Sequence, residues 1–258
     1  MKIISILCQK GGVGKTTAAV NIASVLSKIG YKTLLIDLDP QGNVATYLNQ
    51  EKNNLNKTTS IDLLEGKEDI SALTINENMY LIPSNESIAK FNQEKIIGGS
   101  RLKKIKNLLF FQNFDYIIID TPPTMSSLVQ EALATSDYYL IPAKPEFLAV
   151  EGVAQAMKFA TKTISQFQSI SPIFLGVILN QVDTRRTSYN DFVNELKYLL
   201  SDKLFETHIS QSTEIADSPF YARTVTEFPD NSKARNEYIN LVKEIVSKIG
   251  IWKGHSVV

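Results

Sequence analysis

The stretch Ile3-Ile4-Ser5-Ile6-Leu7-Cys8-Gln9-Lys10-Gly11-Gly12-Val13-Gly14-Lys15-Thr16-Thr17 decides the fold. Its first six residues form a nearly unbroken apolar run, the pattern of a strand buried on both faces of a parallel sheet. Gln9 to Gly14 carries three glycines and predicts a loop. From Thr16 to Ile29, the residues Ala19, Ile22, Ala23, Leu26 and Ile29 recur at helical spacing, and Gly30 stops the run. Strand, glycine loop and helix together make a phosphate site: backbone N–H groups turn inward as an anion nest, and the helix N-terminus adds a positive dipole end. Gly11, Gly12, Val13, Gly14, Lys15, Thr16 and Thr17 are the candidate phosphate-binding residues. Lys15 is expected to reach the β- and γ-phosphates, and the Thr16 hydroxyl to ligate Mg2+. The strict G-x-x-x-x-G-K-[ST] spacing would put its first glycine at Gln9. Instead a second lysine, Lys10, opens the loop.

Outward from this stretch, strands and helices alternate. Thr33 to Ile36 reads as a second buried strand ending at Asp37, and Met79 to Ile82 as a strand stopped by Pro83. Tyr116 to Asp120, Tyr138 to Ile141 and Ile173 to Leu179 are three more. Helices are expected over Ser60–Leu64, Leu102–Phe111, Val150–Ser165, Tyr189–Leu200 and Lys233–Ile249, with Asn49–Asn56 as a surface loop. The alternation predicts an α/β fold: a single-domain P-loop NTPase spanning residues 1–258, its mostly parallel twisted sheet carrying helices on both faces.

Three further motifs lie at strand ends, where such a sheet places its ligands. Asp37-Leu38-Asp39-Pro40-Gln41-Gly42-Asn43 sets two acids after the second strand, against the alternative of turn acids before a proline. Ile117-Ile118-Ile119-Asp120-Thr121-Pro122-Pro123 closes a hydrophobic strand with an acid suited to hold Mg2+, usually through water; the same acid could cap the next helix. Asn180-Gln181-Val182-Asp183 stands where base recognition is expected, and a turn without base contact is the other reading.

The loop with its extra lysine resembles the deviant Walker A motif of the ParA/MinD ATPases, and D-L-D-P-Q-G-N and D-T-P-P resemble the second motif and Walker B end of the ParA/Soj partition branch. The similarity runs along most of the chain, including Lys144 to Gly152 and the final helix, and is weakest over Asn49–Ile97. The resemblance implies a Mg-ATPase in which Lys10 crosses a dimer interface to the partner's phosphates, Asp39 positions the attacking water and Asp37 supports the Mg2+ shell. It implies that Asn180 contacts adenine, with Ser218-Pro219-Phe220 packing near the base; N-K-x-D guanine recognition is the minority reading, because Gln181 replaces the lysine. It further implies an ATP homodimer, a ParB-like centromere-binding partner that speeds hydrolysis, and binding of the ATP dimer to nonspecific DNA in plasmid or chromosome partition. Glu214 stands where that family usually carries an arginine for DNA; the candidate replacements are Arg185, Arg186, Arg223, Lys233 and Arg235, plus the cluster Arg101, Lys103, Lys104 and Lys106.

Composition limits the rivals. Lys+Arg and Asp+Glu are both 27, so any nucleic-acid surface must be a local patch. Cys8 is the only cysteine, which excludes an intramolecular disulfide and the cysteine-held clusters of iron–sulfur relatives. No apolar window reaches the ~18 residues of a membrane span, and the run after Met1-Lys2 is too short for a signal peptide, so a soluble cytoplasmic protein is expected. A MinD-like membrane-positioning ATPase would need a basic amphipathic end, which Gly250 and Gly254 break; membrane binding is not expected. An amidoligase-type enzyme and a nucleotide-binding regulatory module with little hydrolysis are the remaining alternatives.

Overall fold

The computed structural model describes residues 1–52, 57–94, 100–146, 149–167, 172–185 and 188–250. Along the chain these form β1 (Lys2–Ile6), α1 (Lys15–Lys28), β2 (Thr33–Asp37), α2 (Asn43–Tyr47), α3 (Ser60–Leu64), β3 (Leu73–Thr74) and β4 (Met79–Ile82). Then come α4 (Leu109–Gln112), β5 (Tyr116–Asp120), α5 (Ser127–Thr135), β6 (Tyr138–Ala143), α6 (Ala149–Gln166), β7 (Ile173–Leu179), α7 (Ser188–Leu200), α8 (Thr213–Asp217) and α9 (Lys233–Ile249). The strands make one seven-stranded sheet ordered β3-β4-β2-β5-β1-β6-β7, antiparallel only at the β3–β4 edge.

Alternation along the strands builds a core on each face. Ile4 and Ile6 of β1, Leu35 of β2 and Ile118 of β5 pack with Ala19, Ile22 and Leu26 of α1 and with Leu241, Val242 and Ile245 of α9. The opposite residues, Ile3, Leu34, Ile36, Ile117 and Ile119, face Leu63, Leu102, Phe111, Leu128 and Ala132. A third cluster joins α5, α6 and α7 to β6 and β7. A sheet covered on both sides explains why β1, β2 and β5 read as continuous apolar runs. The apolar face of α9 is buried in the first cluster, so it is core and not an interfacial anchor. No described helix is long and apolar enough to cross a membrane.

The sequence-predicted strands all form, and α3 carries the expected cap: Thr59 and Asp62 make a capping box. One expected element is corrected. Leu102–Phe111 is not a continuous amphipathic helix: a 3-10 segment covers Leu102–Asn107, Leu108 is extended at ψ 130°, and the short α4 follows. Glu131 of α5, buried, accepts from the Ser100 hydroxyl (2.5 Å) and the Leu102 N–H (3.2 Å). It pins the start of the segment to α5, and Leu102 and Ile105 then bury at 3-10 spacing. The short α2 and α8 were not foreseen, because each is read only through what it packs on. Of the Asn49–Asn56 loop, residues 53–56 lie outside the described residues, as do Phe147, Leu148, Arg186 and the tail 251–258.

Candidate functional site

The register of the sheet assembles the site. β5 lies between β1 and β2, so Ile6 pairs with Asp120 and Asp37 pairs with Asp120 at the same sheet end. The loop leaving β1 therefore starts at the sheet end that carries both acids. Gly12 (φ 77°) and Gly14 (φ 79°) take left-handed backbone, which turns the loop into α1; Gly14 N-caps the helix without any side-chain hydrogen bond. No acid occupies the first turn of α1, so its leading N–H groups stay available to an anion. A Cβ on Gly11 or Gly12 would meet nothing within 4 Å, leaving the cradle open outward.

Lys15 turns inward and is 7% exposed, beside Asp120. Thr16 donates its hydroxyl to Asp120 Oδ2 at 2.6 Å. Asp120 is fully buried, and its Oδ1 has no hydrogen-bond partner. Burial raises the Asp120 carboxyl above the ordinary range, against the pull of Lys15 and the Thr16 hydrogen bond. Asp37 is raised well above the usual value, first by burial and then by Asp120 beside it. Two adjoining buried carboxylates and an unpartnered oxygen next to a hydroxyl are a hard-oxygen donor set, and they fit Mg2+. Asp37 has a second task. Its oxygens accept from the N–H groups of Asp39 (2.9 Å) and Val44 (3.2 Å), folding the chain after β2 so that Asp39, 5% exposed, stays close enough to Asp37 and Asp120 for its charge to raise both carboxyls. Asp39 Oδ1 accepts from Gln41 N at 3.0 Å.

The other wall comes from the end of β7. Asn180 is 3% exposed and donates Nδ2 to the carbonyls of Val13 (2.8 Å) and Gly14 (3.4 Å). Gln181, held at φ 53°, donates Nε2 to Gly12 O at 2.9 Å. Both amides thus clamp the loop. Sequence reasoning singled out Asn180 for the base but missed Gln181 as a loop clamp. Its replacement of a lysine was the available signal. A cavity of about 270 Å³ opens here between Gly14, Thr17, Asn180, Gln181, Ser210 and Pro219, so the structure brings Asn180 and Pro219 to one hollow beside the phosphate loop.

Lys10 stands apart. It lies at the exposed outer end of the loop, its ammonium 2.6 Å from Glu146 Oε2, and Lys144 holds Oε1 of the same carboxylate at 2.7 Å. The two lysines hold the Glu146 carboxyl down to about 2.

The surface candidates divide. Arg185 is exposed and forks onto Asp183 (2.8 and 3.0 Å); Arg223 is exposed; Lys233 is exposed with Glu237 at 3.6 Å. Arg235 differs from the expectation. Its side chain is only 14% exposed, engaged by Asp230 and by Phe228 O, and it serves the start of α9 rather than an open surface. Arg101 pairs with Glu94 at 2.7 Å and Lys106 with Asp137 at 2.8 Å. Glu214 accepts from the hydroxyl of Ser232, the N-cap of α9, at 2.8 Å, so the acid that replaces an expected arginine ties α8 to α9.

A strand, a glycine loop, buried acids on the neighbouring strands and a base-sized hollow define a P-loop nucleoside triphosphatase. Comparison with known proteins narrows the class. A family model described as an AAA domain matches residues 1–171. The sporulation initiation inhibitor protein Soj of Bacillus subtilis is 33% identical over 250 residues, covering 95% of this chain and 98% of its own length. The chromosome partitioning protein ParA of Myxococcus xanthus is 31% identical over 254 residues, covering 96% and 88%. A plasmid partition protein of Borrelia burgdorferi B31, solved bound to AMPPNP, superposes with a TM-score of 0.80 at 30% identity over 96% of this chain and 99% of that one. The chain belongs to the Soj/ParA family of partition ATPases.

Proposed function

We propose that this protein is a Mg-ATP-dependent switch for partition of a plasmid or chromosome. ATP closes a two-fold dimer, the dimer rides on nonspecific DNA, and hydrolysis, slow alone and stimulated by a ParB-like partner, releases it. The observation that carries the reading is the pair of loop lysines facing opposite ways: Lys15 inward to the acids, Lys10 outward at the surface.

In this reading the loop N–H groups and Lys15 bind the phosphates, and Thr16, Asp120 and Asp37 hold the Mg2+ shell. The metal supplies charge neutralisation on the phosphate oxygens. Asp39, held beside Asp37 and Asp120 by the Asp37 turn, orients a water for in-line attack. Asn180 and Pro219 border the base cavity. Lys10 from each subunit adds a cation to the partner's phosphates, where charge develops as the bond breaks. The protein would work in the cytoplasm, at the nucleoid. Arg185, Arg223, Lys233 and, from the 101–106 cluster, Lys104 are the exposed basic candidates to face DNA, with Arg186 beside Arg185 in sequence.

The test is binding to random-sequence duplex DNA across a salt series, with ATP, ADP or no nucleotide, using wild type and Asp39→Ala. Binding only with ATP, weakened by salt and prolonged in the variant, supports the reading. No binding in any state would contradict the DNA-borne switch and move the output to another surface.

A further inference from the structure

A chain of buried side-chain hydrogen bonds joins three parts of the site that lie far apart in sequence. Asn21, on the second turn of α1 and fully buried, donates Nδ2 to Thr17 O at 2.9 Å and to the Tyr47 hydroxyl at 3.2 Å. Its Oδ1 accepts from Val225 N at 2.9 Å, so the carboxamide is fully engaged and its orientation is set. Tyr47, the last residue of α2 and 3% exposed, shares a short hydrogen bond with Ser218. Ser218 donates its own proton to Ile215 O at 2.9 Å, so the Tyr47 proton points to Ser218. The direction is therefore consistent from end to end: Asn21 to Tyr47 to Ser218 to Ile215. Bonds aligned this way polarise and strengthen one another in a dry interior.

Each end of the chain touches the nucleotide site. Thr17 lies in the first turn of α1, and Thr17, Ile215 and Pro219 line the cavity beside the phosphate loop. The middle of the chain, Tyr47, sits at the end of the short helix that Asp37 starts through Val44 and that begins four residues after Asp39. Burial keeps the Tyr47 phenol protonated, as a donor requires. An apolar residue would fill the same space without this directional link.

We propose that Tyr47 is a positioning residue that couples occupancy of the base cavity to the acid-bearing turn 37–44, so that a bound base fixes the stance of Asp39. The inference rests on the nucleotide reading above and adds a route by which the site distinguishes a nucleotide from a bare polyphosphate. A base that settles against Pro219 fixes the 215–219 wall. Ser218 transmits that order through Tyr47 to α2 and the turn before it.

Hydrogen exchange read by mass spectrometry tests this on the full chain with Mg-ATP and with magnesium tripolyphosphate, which has the phosphates and no base. In wild type, both ligands should slow exchange at residues 10–17, while only ATP slows it at 43–48, by about tenfold, the scale of one buried hydrogen bond. In Tyr47→Phe, which keeps the buried ring, ATP should still protect 10–17 and 215–219, and protection at 43–48 should fall to the tripolyphosphate level. Ser218→Ala breaks the same chain from the other end and should give the same pattern. A tyrosine that only stabilises the fold would lower Tm without separating the two ligands. Equal protection of 43–48 by both ligands in wild type, or full ATP protection of 43–48 in both variants, would overturn the coupling. Absence of ATP protection at 10–17 in wild type would overturn the nucleotide reading, and the inference with it.

Discussion

The two ends of the phosphate loop carry the same residue type in opposite circumstances. At the inner end, Lys15 is buried among Asp120 and Thr16 on a floor formed by β1, β2 and β5. At the outer end, Lys10 stands in solvent, with a side chain 43% exposed, and its ammonium meets Glu146, which Lys144 also holds. The inner charge is placed by sheet register and cannot be moved without breaking the core. The outer charge is placed by a surface ion pair, which contributes about 0–1 kcal/mol and yields to a better partner. A switch needs both: a fixed site to hold nucleotide and a loosely held cation to report it elsewhere.

The strongest test of this contrast is at the inner end. Lys15→Ala should cut ATP affinity by at least about 100-fold, because a buried charge-assisted contact to phosphate is lost, whereas Lys10→Ala should leave the monomer's affinity within about threefold. Calorimetric titration with Mg-ATP separates them; equal losses would erase the distinction.

Backbone substitutions sharpen it next. Gly14→Ala places a methyl group against the Asn180 amide at φ 79° and should destabilise by about 1–3 kcal/mol. Gly11→Ala meets nothing within 4 Å and should shift stability by less than about 0.5 kcal/mol. Thermal unfolding of both variants without nucleotide reads the difference.

A smaller effect is expected at the outer end. Glu146→Gln removes the carboxylate that holds Lys10 and should raise ATP-dependent self-association by about two- to fivefold at low salt, fading as salt screens the pair. Unchanged association would mean that Glu146 does not restrain Lys10.

The smallest concerns Glu131, a second charge placed by the interior. Burial raises its carboxyl above the ordinary glutamate value, against the hydrogen bonds from Ser100 and the Arg101–Leu102 backbone. The folded chain therefore holds a proton that the unfolded chain has released, and stability falls as pH climbs from the ordinary glutamate value through the raised one. Glu131→Gln should flatten that part of a Tm-against-pH curve while leaving the alkaline side parallel. A wild-type curve rising with pH across that window would contradict the assignment.

The same division governs what could be read in advance. Residues fixed by strand periodicity and glycine geometry were legible: β1, β2, β5, the loop, and the three acids that the sheet brings to one end. Asn180 and Pro219 share one hollow as their motifs suggest, but the loop-clamping task of Gln181 depends on a left-handed backbone angle that composition does not announce. Leu102–Phe111 misled because its helical spacing is real, yet its first part winds as 3-10 from a start anchored by Glu131 and the chain is extended at Leu108. Surface charge was least legible. Arg235 and Glu214 look like open charges in the sequence, and each is engaged near the start of α9 by groups that only the fold brings close.

Readout of ATP through Lys10 in a second copy of the chain would show in the solution mass by sedimentation velocity. Wild type, Asp39→Ala and Lys10→Ala should each be measured with Mg-ADP and with Mg-ATP. All three should be monomers with ADP; with ATP a dimer should form, accumulating most in Asp39→Ala, while Lys10→Ala should stay a monomer. A mass that ignores the nucleotide, or an ATP dimer that forms undiminished in Lys10→Ala, would contradict this readout.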